Sequence, residues 1–271
     1  MEEFSLNQPI SEIPIATLDL ETTGLDPMAG DEICELAVVF IRHLTITGEW
    51  SSLVKISSPM PAEAEAIHGI NDAMLSCAPQ LRSVIAQLKV LNSGCVYLIQ
   101  NAPFDMGFLS QAMVCLEEPE LSAPILDFLN IARRLLPNLE NYRLATIGEC
   151  LNLAQENLHR ALGDARLTAR AFLSLVSTLS LQRQTLGEFV ELSLPIEKPQ
   201  LPVVEEAMVS GGRIIIEYVD ANGEVTERVV RPLGYTRDNL SLVAYCFLRE
   251  QERTFKINRI KKLDHYAEEG D

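Results

Sequence analysis

The stretch IATLDLETTGLDP, residues 15–27, sets two carboxylates, Asp19 and Glu21, two positions apart in an apolar run. Side chains two apart on a strand leave the same face, so the two acids project together. Bare carboxylates side by side repel, and taking them out of water is costly. A divalent cation answers both problems, and Mg²⁺ in particular binds through a few carboxylates plus water and phosphate oxygens. The plainer account is a pair of solvated acids at a strand end, and this stretch alone does not choose between the two.

Three further stretches bear on the choice. QNAPFDMGFL places Asp105 just after an apolar run and at a helix start, where the helix dipole already favours an acid. HRALGDARLTARAFL contains His159 and Asp164. Within one helix, five residues would set them roughly 140° apart. His159 is therefore expected on the loop entering the helix, with Asp164 facing a sheet from the first turns. AIHGINDAM adds His68-Gly69 on a loop. Each feature is ordinary alone, and a lone histidine is more often structural than catalytic. All four in this order and spacing are far harder to reach by chance.

The elements that must position these residues follow from hydrophobic period. Residues 14–20, 32–42 and 47–56 read as strands, with TITGEW turning at Gly48. PAEAEAIHGINDAML reads as short helical pieces, residues 80–91 as a helix and 94–101 as a short buried strand. Helices follow at 104–115, 127–135, 143–151 and 161–181, with a brief strand near 124–126. Strands first, then strand and helix in alternation, imply a mixed sheet packed between helices. The periodicity weakens from Gln182 to Pro202, where LPIEKPQLP carries three prolines, so 182–202 is expected to be a linker between a domain over 1–181 and one over 203–271. The last segment is strand-like, with a hairpin turning at Asn222-Gly223.

The 271 residues carry a net charge of −16, with 22 Lys and Arg against 38 Asp and Glu. Such a surface repels nucleic acid at long range, which counts against a non-specific DNA coater but not against a nuclease whose acids are metal ligands. The six cysteines form no CxxC pair and read as small core residues rather than a zinc site or disulfides. No apolar run is long enough to span a bilayer, and MEEFSLNQPI lacks the basic-then-apolar pattern of a signal peptide, so a cytoplasmic protein with no membrane partner is expected.

With those residues in view, the first 180 or so resemble the DEDDh (DnaQ-like) 3′–5′ exonucleases: DLETTG matches the first motif, NAPFD the second and HRALGDA the third. The resemblance implies an RNase H-like α/β fold and two Mg²⁺ or Mn²⁺ ions. It makes Asp19, Glu21, Asp105 and Asp164 the metal ligands and His159 the general base. It also implies that backbone N–H groups around Thr22 and Thr23 bind the terminal 3′-hydroxyl, with Gly24 permitting close approach. Ile67 and His68 resemble the family's wall against the terminal base, Asn101 is placed to position the backbone, and Phe104 either stacks or packs, packing being favoured. Gln100 stands where many members have histidine. Nucleoside 5′-monophosphates would be released from a nucleic acid 3′ end, with single-stranded DNA in repair or proofreading as the favoured setting. The alternatives are RNA 3′-end trimming and a catalytically inactive regulatory protein that binds nucleic acid or nucleotides.

The tail, from IIIEYVD to RTFKINRI, resembles a WYL domain, which implies a small all-β SH3-like barrel. The carried-over positions are Tyr218, Arg231, Pro232, Tyr245, Cys246, Arg249, Phe255, Arg259 and Ile260. The eponymous Trp-Tyr-Leu is replaced by Leu240-Ser241-Leu242. Arg231, Arg249 and Arg259 are expected to form a phosphate-facing cluster. QLPVV, residues 200–204, faintly resembles a sliding-clamp-binding peptide, so a polymerase or clamp joins nucleic acid as a candidate partner.

Overall fold

The protein is described by a computed structural model over residues 4–137, 139–196, 201–220, 223–236 and 239–266. Its strand β1 (Ile15–Thr22) is the centre of the first sheet. Ile15, Ala16, Leu18 and Leu20 are buried to both sides, as expected of an apolar run covered on both faces. β2 (Ile33–Arg42) and β3 (Thr45–Leu53) continue the sheet as an antiparallel meander. The hairpin between them turns at His43 and Leu44, with φ +48° and +55°. Two positive values suit the right-handed twist of a two-residue hairpin but are normally supplied by Asn-Gly. The expected turn at Gly48 is thus corrected: Gly48 lies within β3, opposite Phe40.

Helices α1 (Ala62–His68), α2 (Asp72–Leu75) and α3 (Leu81–Leu91) lead to β4 (Val96–Ile99), which pairs parallel to β1. His68 is accordingly the last residue of α1 rather than a loop residue. α4 (Ala102–Leu116), β5 (Ile125–Asp127), α5 (Phe128–Leu135), α6 (Leu144–Cys150) and α7 (Ala161–Thr178) follow, giving the mixed sheet order β3-β2-β1-β4-β5. α3 and α4 cover one face of this sheet, with Ile85, Leu88, Leu109 and Met113 packed on Ala16, Leu18, Leu36 and Val38. α5 and α7 cover the other, with Ile131, Phe172 and Leu175 against Ile15, Val39 and Leu98. Ile15, Thr17, Asp19 and Glu21 share that second face, so the two acids point toward α7.

The expected linker is corrected over its first half. α8 (Leu186–Ser193) opens with a capping box, Thr185 with Glu188, and buries Leu186 and Phe189 completely in the first core. Phe189 lies 5.5 Å from Phe172, ring centre to ring centre. The chain divides into two compact units after Leu194. Pro199 lies outside the described residues.

The second unit begins with α9 (Pro202–Ser210), then β6 (Ile214–Val219), β7 (Val225–Tyr235), β8 (Ser241–Cys246), β9 (Gln251–Lys256) and β10 (Ile260–His265). These strands form one antiparallel sheet in the order β10-β6-β7-β8-β9. β9 and β10 are its edges, so among the described residues the sheet is open and no closed barrel forms. Gly223 has φ +85°, and Asn222 lies outside the described residues. Gln200 does too, but the rest of QLPVV is not a free peptide: Pro202 opens α9, and Val204 is fully buried against the sheet. Three cysteines, Cys34, Cys95 and Cys246, are core residues as expected, whereas Cys77, Cys115 and Cys150 are exposed, and all six are free. Among the described residues no helix is long and apolar enough to cross a membrane.

Because Phe189 fills the first core from beyond the expected boundary, Phe189→Ala is expected to cost about 3–5 kcal/mol of unfolding free energy, read by chemical denaturation. A loss below about 1 kcal/mol, the range of ordinary surface changes, would mean α8 is dispensable.

Candidate active site

The site stands where β1 outruns β4. The parallel ladder ends at Leu18 and Ile99, while β1 continues to Thr22. Beyond that end the Leu20 N–H donates to Asp105 Oδ1 at 3.1 Å instead. Asp105 sits in the first turn of α4 and is buried. Asp127 secures the start of that helix: Oδ2 accepts from Ala102 N–H at 3.1 Å, while Oδ1 caps α5 through Asn130 N–H at 2.8 Å.

Asp19 and Glu21 project from β1 toward Asp164, in the first turn of α7. One oxygen from each of the three carboxylates lies within 4.8 Å of the others. His159 is exposed on the loop before α7, and its N–H donates to Asp164 Oδ1 at 3.4 Å. The expected split of His159 on a loop and Asp164 on the helix describes this arrangement. Burial drives every one of these carboxyls upward, and at Asp19 and Glu21 repulsion from the neighbouring acids adds to it. Asp19 is raised well above the ordinary carboxylate range by burial and then by the charges of Asp105, Asp164 and Glu21. Glu21 is pushed to about 8 by burial and then by Asp164 and Glu35, with Arg160 pulling the other way. Asp105 is raised to about 7 by burial, against the hydrogen bonds it accepts. Burial also raises Asp164, opposed by the His159 N–H. An all-oxygen donor set whose members resist ionising side by side fits a hard divalent cation.

Sequence reasoning missed Glu35, Arg160 and Asp127. Glu35 on β2 is buried directly opposite Glu21 and takes both arms of the Arg160 guanidinium, at 3.0 and 2.7 Å. Asp127 carried a usable signal, an acid one residue before a helix. The Glu35–Arg160 pair spans 125 residues and carried none.

Several expected substrate contacts are already used within the chain. The Thr23 N–H donates to Glu32 O, and Thr23 Oγ1 accepts from Glu32 N–H, both at 2.9 Å, so that amide is not offered to a 3′-hydroxyl. Thr22 Oγ1 donates to Gly24 O at 2.6 Å. A Cβ on Gly24 would lie 2.2 Å from Asp31 Oδ2, so any larger residue there would have to push the Asp31 carboxylate aside. His68 is buried: Nδ1 accepts from Ile70 N–H at 3.0 Å, and burial lowers its pKa. Of the expected wall, only Ile67, 62% exposed, faces outward. Phe104 packs on Phe108, ring centres 5.2 Å apart. Asn101 is exposed and makes no side-chain cap to α4. Gln100 Nε2 donates to Tyr142 O at 3.3 Å.

In the second unit, Arg231 lines a cavity of about 370 Å³ with Gly211, Gly212, Arg213, Phe247 and Tyr266, a lining that includes neither Arg249 nor Arg259. Arg249 lies in the turn after β8 and Arg259 in a 3₁₀ turn before β10. The Arg213 guanidinium lies 4.3 Å from the Phe247 ring centre, and that of Arg231 5.7 Å from the Tyr245 ring centre.

The mixed five-stranded sheet thus carries three converging carboxylates, a fourth beside them and a histidine on the adjoining loop. The exonuclease family's sequence pattern matches residues 17–172, more than half of the chain, and the protein belongs to that family. The WYL domain pattern matches residues 199–265. A DNA polymerase III subunit epsilon-like protein of Rhodobacter capsulatus is 33% identical over 175 residues, 63% of this chain and 25% of that one. The 3′-5′ exonuclease DinG of Bacillus subtilis is 30% identical over 177 residues, 65% of this chain and 19% of that one. The chain thus spans a quarter or less of the length of these curated relatives. Among solved structures, Exonuclease X in complex with 5′ overhanging duplex DNA matches with a TM-score of 0.52 at 25% identity, over 65% of this chain and 99% of that one.

The raised carboxyls give a pH dependence with a definite sign. Their folded pKa values exceed the unfolded ones of about 4, so the folded state holds extra protons between the two. The stability they contribute is present below that window and lost as pH climbs through it, up to about 8 for Glu21. Metal-free protein should therefore melt at progressively lower temperature from about pH 5 to pH 8. Added Mg²⁺ should raise the melting temperature most at the upper end, and Asp19→Asn should weaken both effects. Melting indifferent to both pH and Mg²⁺ would contradict the account.

Proposed function

We propose that the protein is a metal-dependent 3′–5′ exonuclease that releases nucleoside 5′-monophosphates, with single-stranded DNA as the preferred substrate. The observation that carries this reading is the convergence of Asp19, Glu21 and Asp164, with Asp105 and His159 beside them. Asp19, Glu21 and Asp164 would hold Mg²⁺ or Mn²⁺, with Asp105 supporting from the α4 side. Two such ions, when bound, neutralise the phosphate and stabilise the attacking and leaving oxygens. The exposed His159 imidazole takes the proton of the attacking water at a ring nitrogen, the general-base task that histidine most often performs. The phosphorus–O3′ bond breaks, and the shortened strand keeps the 3′ oxygen. Ile67 offers an apolar surface to a terminal base, and such contact is tolerant of sequence.

The second unit supports a role in strand capture. Guanidinium groups beside aromatic rings suit phosphates and stacked bases. A weak binding module covalently joined to a nuclease raises the effective concentration of substrate, which offsets the repulsion of a chain with net charge −16.

The decisive assay uses 5′-labelled single-stranded DNA and RNA of one sequence with Mg²⁺, Mn²⁺ or EDTA. A metal-dependent ladder shortening from the 3′ end is expected, faster on DNA. His159→Ala should slow it by about 10²–10⁴-fold, and Asp19→Ala should abolish it while leaving strand binding intact. No shortening of either strand with any metal would leave a binding protein as the better description, and faster RNA cleavage would reverse the substrate preference.

A separate binding measurement addresses the second unit. Arg231→Glu should weaken single-strand binding and reduce its salt dependence by about one counterion, without changing the rate at saturating substrate. Unchanged affinity would remove Arg231 from the binding surface.

A further inference from the structure

His159 has φ +61°, in the left-handed region that side chains other than glycine rarely occupy. Two residues earlier Asn157 has φ +52°. A loop held this way needs fixed anchors on both sides. One is Asp164, which receives the His159 N–H. The other comes from a distant strand. Glu35 Oε2 accepts from Arg160 Nε at 3.0 Å and from Ala161 N–H at 3.0 Å, and Oε1 accepts from Arg160 Nη2 at 2.7 Å.

Arg160 precedes the first residue of α7 but provides no side-chain cap. Glu35 does that work from β2, satisfying the first free N–H of the helix. The paired arms of a guanidinium on one carboxylate fix orientation as well as distance. The loop also runs directly over the helix: a Cβ on Gly163 would fall 2.0 Å from Asn157 O. Displacing Arg160 therefore displaces the neighbouring His159. The pair has an electrostatic reason to sit here too. Glu35 lies opposite Glu21 across the β1–β2 ladder, a repulsive placement unless a cation stands by, and Arg160 is that cation.

We propose that Glu35 is a positioning residue for His159, acting through Arg160 and the Ala161 N–H to hold the histidine loop beside Asp164. The kinetic consequences rest on the nuclease reading, whereas the effect on the loop does not.

The test uses the full chain carrying Glu35→Gln, which keeps the side chain's shape and removes the charge that grips the fork. Amide hydrogen exchange across 157–161 should accelerate at least about tenfold, with other segments unchanged. With labelled single strands and Mg²⁺, kcat should fall about 10–100-fold, the range for residues that orient a reacting group, while KM stays within about twofold. In a His159→Ala background the same substitution should cost less than about twofold, because two residues acting through one group are not additive. Arg160→Lys keeps the charge but not the fork, and should show the same pattern even if Glu35→Gln folds poorly. Unchanged exchange across 157–161 in both variants would overturn the inference, as would a full kinetic loss in the His159→Ala background. If His159→Ala itself cleaves like the wild type, the general-base assignment fails and hydrogen exchange still decides the clamp.

Discussion

Like charges crowded at the end of one strand are the constraint on which the first unit depends. Asp19 and Glu21 leave β1 on the same face, Asp164 meets them from α7, and Asp105 approaches from α4. Without a cation, burial and repulsion drive these carboxyls toward their protonated forms. Folding supplies the opposing work. The apolar residues of β1 bury on both faces, α7 commits ten of its residues to the core, and the carboxylates are carried along by that packing. The site is thus unfavourable locally and affordable globally, as ligand-binding clusters often are.

Around the acids the structure places a ring of compensating groups. Arg160 offsets Glu35 and lowers Glu21. The Leu20 N–H stabilises charge on Asp105, and the His159 N–H does so on Asp164. Asp127 serves by another route, tying together the starts of α4 and α5. These partners are backbone amides and one guanidinium, which is why the cluster persists as a group of acids rather than collapsing into internal salt bridges.

Much of this was legible in the sequence. The period of two in DLE put two acids on one face, and the five-residue step from His159 to Asp164 excluded a shared helix face. The mixed sheet followed from the order of strand and helix patterns. What was not legible has physical causes. His43 and Leu44 adopt a turn geometry that neither residue advertises, so the turn was sought at the nearest glycine. Leu186 and Phe189 carry helical spacing, but the prolines beginning at Pro195 drew the expected boundary forward over them. Thr23 and His68 were assigned to substrate because a sequence cannot show that an amide or an imidazole is already bonded to its own chain. The Glu35–Arg160 pair depends on β2 meeting the start of α7, a juxtaposition that only the folded chain provides. In the second unit, Arg213 lies before the first strand, and its place beside Arg231 follows from the pairing of β6 with β7.

The early end of β4 acts as a ruler. β1 runs four residues past its last parallel partner, and Asp105 reaches Leu20 only because no strand residue stands between them. Extending β4 by a further pair would give that N–H a ladder partner and move α4 about 7 Å outward, at roughly 3.3 Å per strand residue. The short Gln100–Asn101 connection is therefore matched in length to the Leu20–Asp105 hydrogen bond. Insertions that the exposed β2–β3 hairpin could absorb would here remove an acid from the cluster.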